Sequence, residues 1–299
     1  MTSRFERQAT AALLAATAIW GATFVTVKDA LAAADVFTFL ALRFGVGMVT
    51  AATLAWILRR GRAFPRQVIK PGLGLGVLLY GGYALQTLGL ETTTPARSAF
   101  ITGLTVLFVP FVSWQFTGKR PPGRAFFAPV VALIGLQRLT GVSLAGSVPI
   151  GDALTLGCAV IYAVHIAGMG KWGAGLPALE LTAVQLGVVT VLSSVTVIFV
   201  ERRFEPTPGF WAAVIFTGVV ASAIAIAVQV WAQAQVNATR AAVLFSLEPV
   251  FALATAVVSG LGWPSASELV GCGFILAAVL ISEVELPSLQ RMRLLSRGP

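Results

Sequence analysis

Residues 210–231 read FWAAVIFTGVVASAIAIAVQVW, and this stretch decides the class of fold. It contains no charged side chain and only a few polar ones. A helix of about 20 predominantly apolar residues is long enough to cross the hydrocarbon core of a bilayer. We therefore predict that residues 210–231 form a transmembrane helix.

The rest of the chain repeats this pattern, with 57% apolar and 11% charged residues among 299. A soluble domain carries about a quarter charged residues, because charges keep its surface hydrated. The connectors between the apolar stretches are short, so we expect no independent soluble domain. The sequence predicts an all-α integral membrane protein with ten transmembrane helices, at residues 9–27, 36–58, 72–90, 98–116, 125–141, 150–169, 179–200, 210–231, 238–260 and 269–283.

The net charge of +9 is distributed unevenly over the connectors. If the ten helices cross the bilayer alternately, most basic residues fall on one side. By the positive-inside rule this side is cytoplasmic, and it holds both termini. The basic excess therefore indicates membrane orientation, and we expect no nucleic-acid partner. The basic residues on this side are Arg4, Arg7, Arg59, Arg60, Arg62, Arg66, Lys70, Lys119, Arg120, Arg124, Arg291, Arg293 and Arg297, against Lys28, Arg97, Arg202 and Arg203 on the other.

The two halves of the chain match at a constant offset of 143 residues, the distance from Gln86 to Gln229. We predict one transport domain built from two five-helix repeats, residues 1–146 and 147–299. Because five is odd, the second repeat enters the membrane from the opposite face, as in transporters that alternate between two packings of their halves around a central cavity. The alternative is a duplication kept only for packing. Further matches are Lys28 with Lys171, Pro65 with Pro208, Arg97 with Arg240 and Phe108 with Phe251.

Three glutamines lie within predicted membrane helices. Gln86 and Gln229 are related by the repeat, and Gln233 follows Gln229 by one helical turn. An amide offers donors and an acceptor without charge, which suits a zwitterion or a polar solute. We predict that all three bind substrate; the alternative is hydrogen bonding between packed helices.

Aromatic side chains and the single histidine also lie inside predicted spans. Tyr80 and Tyr83 share one helix face, Tyr162 and His165 share another, and Trp20 lies within the first span. Rings around a cavity stack on a flat side chain or hold an ammonium group. We therefore include all five residues in the predicted site. The alternative for each ring is helix packing, and His165 is equally a possible proton carrier.

Glu248 is the most consequential single residue, because a carboxylate in mid-membrane is costly unless it is paired or protonated. Pro249 follows it and leaves the carbonyl of Phe245 without its helical donor. Together they would attract a substrate ammonium or a proton. The alternative is a structural ion pair with Arg43 or Arg138.

The sequence does not favour an enzyme. A nucleophile, base or metal site needs convergent side chains, and the chain has one histidine and two cysteines, Cys158 and Cys272, on different spans. We therefore expect no enzyme activity, no metal, no disulfide and no cofactor. Phosphorylated substrates would require several cavity cations, and only Arg43 and Arg138 are intramembrane.

Four motifs resemble the EamA branch of the drug/metabolite transporter superfamily. They are WGATF at residues 20–24, LRF at 42–44, LGLETTTPARSAFITGL at 88–104 and LEPVF at 247–251. This resemblance covers residues 10–284 and implies a fold of ten helices as an inverted repeat. The chain departs from the family at Gln137-Arg138, where apolar residues are usual. Arg138 would be a substitution, a side chain snorkelling near a span end, or a partner of Glu248.

Within that branch the chain is most similar to the YddG-type amino-acid exporters. The similarity implies a central cavity, and Phe100 completes the predicted binding residues. It also implies export of aromatic and other neutral amino acids across a bacterial inner membrane. The expected partners are an amino acid and the lipid bilayer, with a monomeric transporter. The alternative within the superfamily is a broad-specificity exporter of drugs or other small metabolites.

Overall fold

Ten helical segments make up most of the chain in the computed structural model, which describes residues 4–61, 63–118, 120, 123–141, 149–258 and 263–283. Two predictions lie outside these residues: the boundary between the repeats at 146–147, and the basic residues from 284 onward together with Arg62 and Lys119. The first five segments are α1 (Arg4–Gly21 and Thr23–Ala30), α2 (Val36–Leu58), α3 (Ile69–Thr92), α4 (Pro95–Gly103 and Thr105–Thr117) and α5 (Arg124–Thr140).

The second five segments are α6 (Ile150–Gly168), α7 (Ala178–Thr196), α8 (Pro208–Ile215, Phe216–Ile224 and Ala225–Gln233), α9 (Ala238–Phe245 and Glu248–Val258) and α10 (Ala266–Glu283). The middle part of α8 is π-helical, and a short π-helical segment, Met169–Gly173, continues α6. Short 3₁₀ turns precede α3 at Arg66–Val68 and follow α7 at Val197–Phe199.

Eight of these segments are long and apolar enough to cross a membrane. The apolar parts of the other two, α5 and α10, are shorter: Phe126–Thr140 and Ala266–Ile281. The prediction of a multi-pass, all-helical membrane protein is therefore confirmed. The count of ten spans stays a prediction, because it depends on α5 and α10.

Side-chain caps fix where helices start in both halves. The Thr94 hydroxyl accepts a hydrogen bond from the backbone N–H of Arg97 at 3.2 Å, and Asn237 Oδ1 accepts one from that of Arg240 at 2.9 Å. Such caps satisfy backbone donors that have no partner within the helix. They allow α4 and α9 to begin after very short connectors.

The helices pack in pairs: α3 against α6, α2 against α7, α5 against α10 and α1 against α8. Glycines permit the closest approaches, as expected in membranes. A Cβ atom on Gly151 of α6 would lie 2.6 Å from the carbonyl oxygen of Gly89 in α3. One on Gly271 of α10 would lie 2.7 Å from the carbonyl oxygen of Gly135 in α5. No side chain fits at these contacts.

Three helices are interrupted inside the bundle. α1 breaks at Ala22, α4 at Leu104, and α9 at Ser246-Leu247. Pro249 therefore stands in the first turn of a new helical piece, where its missing N–H has no helical partner in any case. The predicted distortion of this span is present, but it takes the form of a complete break before Glu248.

Candidate functional site

A cavity of about 110 Å³ lies at the centre of the bundle. Its walls come from α1, α2, α3, α4, α6, α8 and α9, and residues on either side of the three helix breaks line it. The lining is mostly apolar but includes amide, hydroxyl and charged side chains, so a cavity of this size can hold several waters or a small solute. Substrate sites of secondary transporters are typically formed by such discontinuous helices.

Seven of the ten residues predicted to bind substrate line this cavity, and they come from five different segments. The structure therefore brings together residues that are up to 228 positions apart, from Trp20 to Glu248. These seven are Trp20, Tyr83, Gln86, Tyr162, His165, Gln229 and Glu248.

The other three predicted residues lie outside the lining. The hydroxyl of Tyr80 is 2.7 Å from Thr196 Oγ1, which ties α3 to α7. Phe100 is fully buried in a separate apolar cluster with Leu136 and others. Gln233 is buried behind the wall, where it supports Gln229.

Gln86 has partners on two helices besides facing the cavity. Its Nε2 donates to Thr102 Oγ1 at 3.1 Å, and its Oε1 accepts from the Tyr162 hydroxyl at 3.4 Å. The two interpretations of this glutamine, cavity lining and hydrogen bonding between helices, therefore both hold. The bonds fix the amide in position at the cavity wall.

Gln229 is held in a similar way in the second half. Its Nε2 donates to Gln233 Oε1 at 2.8 Å, and Gln233 Nε2 donates to the carbonyl of Ile166 on α6 at 3.0 Å. Gln86 and Gln229, which are 143 residues apart, therefore place one fixed amide from each half of the chain around the same cavity.

Aromatic rings form two groups along the cavity. Tyr83 and Tyr162 meet edge to face with ring centroids 5.6 Å apart, and Phe44 packs against Tyr83 at 4.7 Å. On α1, Trp20 meets Phe245 at 5.4 Å, and its indole N–H donates to the carbonyl of Ala221 at 2.8 Å. The rings have fixed orientations and can contact a flat apolar side chain.

His165 borders the cavity but is also tied to the neighbouring helix. Its Nε2 lies 2.9 Å from Oε1 of Gln185 on α7, and both side chains are buried. This bond links α6 and α7 beside the cavity, so His165 has a packing role in addition to any contact with a solute.

Arg43 lines the cavity from α2 and is 2% exposed. Its Nε donates to Ser222 Oγ at 3.2 Å, and its guanidinium carbon lies 4.9 Å and 5.0 Å from the ring centroids of Tyr83 and Phe44. Cation–π contacts of this kind stabilise a guanidinium removed from water.

The structural ion pair considered for Glu248 is not formed. Among the described residues, no arginine or lysine nitrogen lies within 4.0 Å of its carboxylate. Arg43 instead contacts Ser222 and the rings of Tyr83 and Phe44. Arg138 is exposed near the end of α5. Glu248 faces the cavity at the start of the second piece of α9.

Several lining residues carried no distinct signal in the sequence. Arg43 was predicted as an intramembrane cation and a possible partner of Glu248 but not as a binding residue, and five hydroxyl side chains of the lining were not predicted. A small polar residue in an apolar helix looks the same whether it bonds its own helix or faces a cavity. These unrecognised residues are Thr23, Thr87, Thr102, Thr105 and Ser246.

Ion pairs connect the two halves at both ends of the bundle. Near Leu90, where the cavity extends toward one end, Arg97 of α4 pairs with Asp152 of α6, which also accepts from the Thr93 hydroxyl at 2.9 Å. At the other end, Arg59 at the end of α2 pairs with Glu180 of α7 at 3.2 Å. Each pair joins one helix of the first half to one of the second.

The model of the EamA-like transporter family matches residues 8–139 and 149–283 of the chain. A protein of Archaeoglobus fulgidus described as an uncharacterized transporter is 30% identical over 265 residues, covering 88% of this chain and 82% of that protein. The uncharacterized transporter YoaV of Bacillus subtilis is 21% identical over 285 residues, covering 90% and 92%.

A solved structure described as the crystal structure of a protein has the same fold. It superimposes with a TM-score of 0.79 at 23% identity, covering 93% of this chain and 98% of the other. This likeness concerns the fold alone.

Proposed function

Because this chain belongs to the EamA-like transporter family, we propose that it is a secondary transporter that exports aromatic and other neutral amino acids by alternating access. The observation that carries this proposal is the central cavity. Aromatic rings, two fixed amides and one side chain of each charge line this cavity. Each of these groups is suited to a part of an amino acid.

Pairing between helices supports an inverted repeat. The contact of α3 with α6 is mirrored by that of α8 with α1, and the contact of α4 with α6 by that of α9 with α1. The pairs α2–α7 and α5–α10 each join a helix to its own counterpart. This is the pattern that a two-fold axis between the halves produces, and with five helices in each half the axis lies in the membrane plane. In this arrangement α5 and α10 also cross the bilayer.

The charge of the cavity favours a neutral solute over a phosphorylated one. Arg43 is the single arginine or lysine among the residues that line the cavity. A dianionic phosphate is normally bound by several arginine or lysine side chains. The aromatic rings provide contact area for an apolar side chain. Together these features support neutral and aromatic amino acids as the substrate class.

Orientation follows from the charge distribution. With the N-terminus in the cytoplasm, the Arg59–Glu180 pair lies on the cytoplasmic side and the Arg97–Asp152 pair on the opposite side of a bacterial inner membrane. Export then requires the halves to rock so that the cavity opens to each side in turn. The gradient of the substrate or an exchanged proton would drive the cycle.

Counterflow in proteoliposomes tests this proposal. Vesicles loaded with unlabelled phenylalanine should accumulate radiolabelled phenylalanine, and other neutral amino acids should compete. Vesicles without protein provide the control. If no amino acid is exchanged while cationic drugs are, the chain is a drug exporter of the same superfamily, and the amino-acid assignment is wrong.

A further inference from the structure

Building on the proposed amino-acid transport, we infer that Arg43 and Glu248 are the two ends of a zwitterion site. Arg43 binds the carboxylate of the substrate and Glu248 binds its ammonium group. A substrate must then carry both groups, which is a stricter requirement than neutral overall charge. We refer to these two residues as the charge pair, although they do not touch each other.

Arg43 has contacts that orient it but none that neutralise it. Ser222 provides one neutral acceptor, and the Tyr83 and Phe44 rings pack near the guanidinium. Among the described residues, no carboxylate oxygen lies within 4.0 Å of its nitrogens. With Nε committed to Ser222, the planar end of the guanidinium keeps donors for the paired oxygens of a carboxylate.

Glu248 is placed by the backbone rather than by a counter-ion. The break in α9 sets it at the first position of a helical piece, and the close approach of α1 fixes its main chain: a Cβ atom on Gly21 would lie 2.6 Å from the Glu248 carbonyl oxygen. Its side chain lines the cavity and is partly exposed to it. A cation that enters the cavity therefore has access to this carboxylate.

The rings of Tyr83 and Tyr162 line the same cavity as the two charges. The guanidinium carbon of Arg43 lies 4.9 Å from the Tyr83 ring centroid, and Tyr83 meets Tyr162 edge to face. An amino acid whose carboxylate is bound by Arg43 would therefore have its side chain within reach of these two tyrosines.

Energetics explain why one ligand must satisfy both ends. A charge removed from water is stabilised only when a counter-charge and hydrogen bonds replace its hydration. In this cavity each member of the charge pair lacks a protein counter-ion, and a zwitterion supplies one to each. An amine would leave Arg43 unpaired and a carboxylic acid would leave Glu248 unpaired. A site of this kind rejects an analogue that lacks one polar group.

Competition with truncated analogues of phenylalanine tests this site in the unmodified transporter. Phenethylamine lacks the carboxylate and 3-phenylpropanoate lacks the ammonium group. We expect each analogue to inhibit phenylalanine counterflow at least about tenfold more weakly than phenylalanine itself, the effect of losing one charge-assisted hydrogen bond. If either analogue competes as well as phenylalanine, the zwitterion site is wrong while amino-acid transport stands.

Variants assign the two ends. Arg43→Gln should weaken competition by phenylalanine and by 3-phenylpropanoate but leave competition by phenethylamine unchanged. Glu248→Gln should weaken competition by phenylalanine and by phenethylamine but leave competition by 3-phenylpropanoate unchanged. The controls are Arg138→Gln and Glu201→Gln, which remove the same charges from exposed positions. Arg43→Lys and Glu248→Asp keep each charge and should retain the order of preference if the glutamine variants fold poorly.

The outcomes separate the two proposals. If the variants lower the maximal rate without changing the order of the three ligands, Arg43 and Glu248 are structural and the charge pair is wrong. If the unmodified protein does not exchange phenylalanine or any other amino acid, the proposed transport function itself is wrong.

Discussion

Tyr80, Tyr83 and Tyr162 differ in what their rings face, although all three lie on membrane helices. Tyr83 and Tyr162 border the cavity, whereas Tyr80 points to α7 and bonds Thr196. The same substitution can therefore be compared at two tyrosines that line the cavity and at one that contacts a neighbouring helix. We expect it to affect substrate binding at Tyr83 and Tyr162 and stability at Tyr80.

Replacing Tyr83 or Tyr162 by alanine should raise the KM for an aromatic amino acid about threefold to tenfold. This range corresponds to the roughly 0.5–1.5 kcal/mol that an aromatic pair contributes beyond burial. Tyr80→Ala, the control, should lower the midpoint of thermal unfolding and leave KM close to that of the unmodified protein. Equal KM values in all three variants would remove the tyrosine pair from the binding site.

Single residues were predictable where their type is rare in a membrane helix. Tyrosine, glutamine, glutamate and histidine are uncommon inside membrane helices, so they were singled out as candidates. Tyr83, Gln86 and Glu248 line the cavity, whereas Tyr80 and Gln233 contact neighbouring side chains or backbone instead. Threonine and serine carried no such signal. The ion pair considered for Glu248 could not be judged from sequence, because the directions of Arg43 and Arg138 depend on helix rotation. Nearly every face of these helices is apolar, so periodicity does not distinguish lipid from cavity.

At the scale of helices, the contact of α5 with α10 depends on the absence of side chains. Gly271→Ala should lower the unfolding midpoint, because the new methyl group would press on the backbone of α5, and overpacking of this kind typically costs about 1–3 kcal/mol. Gly273→Ala is the control on the same helix, since a Cβ atom there meets nothing within 4 Å.

Neither substitution should alter the KM of the folded protein, because α5 and α10 contribute no residue to the cavity. Unfolding can be followed in detergent by tryptophan fluorescence. Equal midpoints for the two variants would mean that the close contact of these helices is not needed for stability.

Helix positions were predictable to within a few residues, but helix breaks were not. The apolar stretch 98–116 corresponds to α4 and the stretch 238–260 to α9, because length and hydropathy are local properties. None of the three breaks was predicted from the sequence. Pro249 lies just after the break in α9, because proline is tolerated in the first turn of a helix.

At the scale of the whole molecule, the proposed inverted repeat predicts on which side of the membrane each connector lies. The Arg59-Arg60 and Arg202-Arg203 pairs are 143 residues apart in the sequence, and the proposed topology places them on opposite sides of the membrane. In a background without Cys158 and Cys272, a membrane-impermeant maleimide applied to intact cells should label Arg202→Cys and spare Arg60→Cys. Both positions are exposed, so both should react after the membrane is permeabilised. Labelling of both in intact cells would contradict the inversion.

Under the proposed alternating access, we expect the two ion pairs between the halves to act in opposition. Arg97–Asp152 would stabilise closure of one end and Arg59–Glu180 closure of the other, so Asp152→Asn and Glu180→Gln should shift the population of states in opposite directions. In each pair the arginine is about one third exposed and the carboxylate is buried. Because solvent screens the arginine, we expect a contribution of about 1 kcal/mol and a shift of about twofold to fivefold.

Distances between spin labels on the connectors measure this shift. With one label pair at each end, Asp152→Asn should increase the fraction of long distances at the end that carries Arg97 and decrease it at the other, and Glu180→Gln should show the opposite. Glu201→Gln, an exposed change outside both pairs, should leave both distributions unchanged. A shift in the same direction for both variants would mean that the pairs stabilise the bundle as a whole, and that the two ends do not open in alternation.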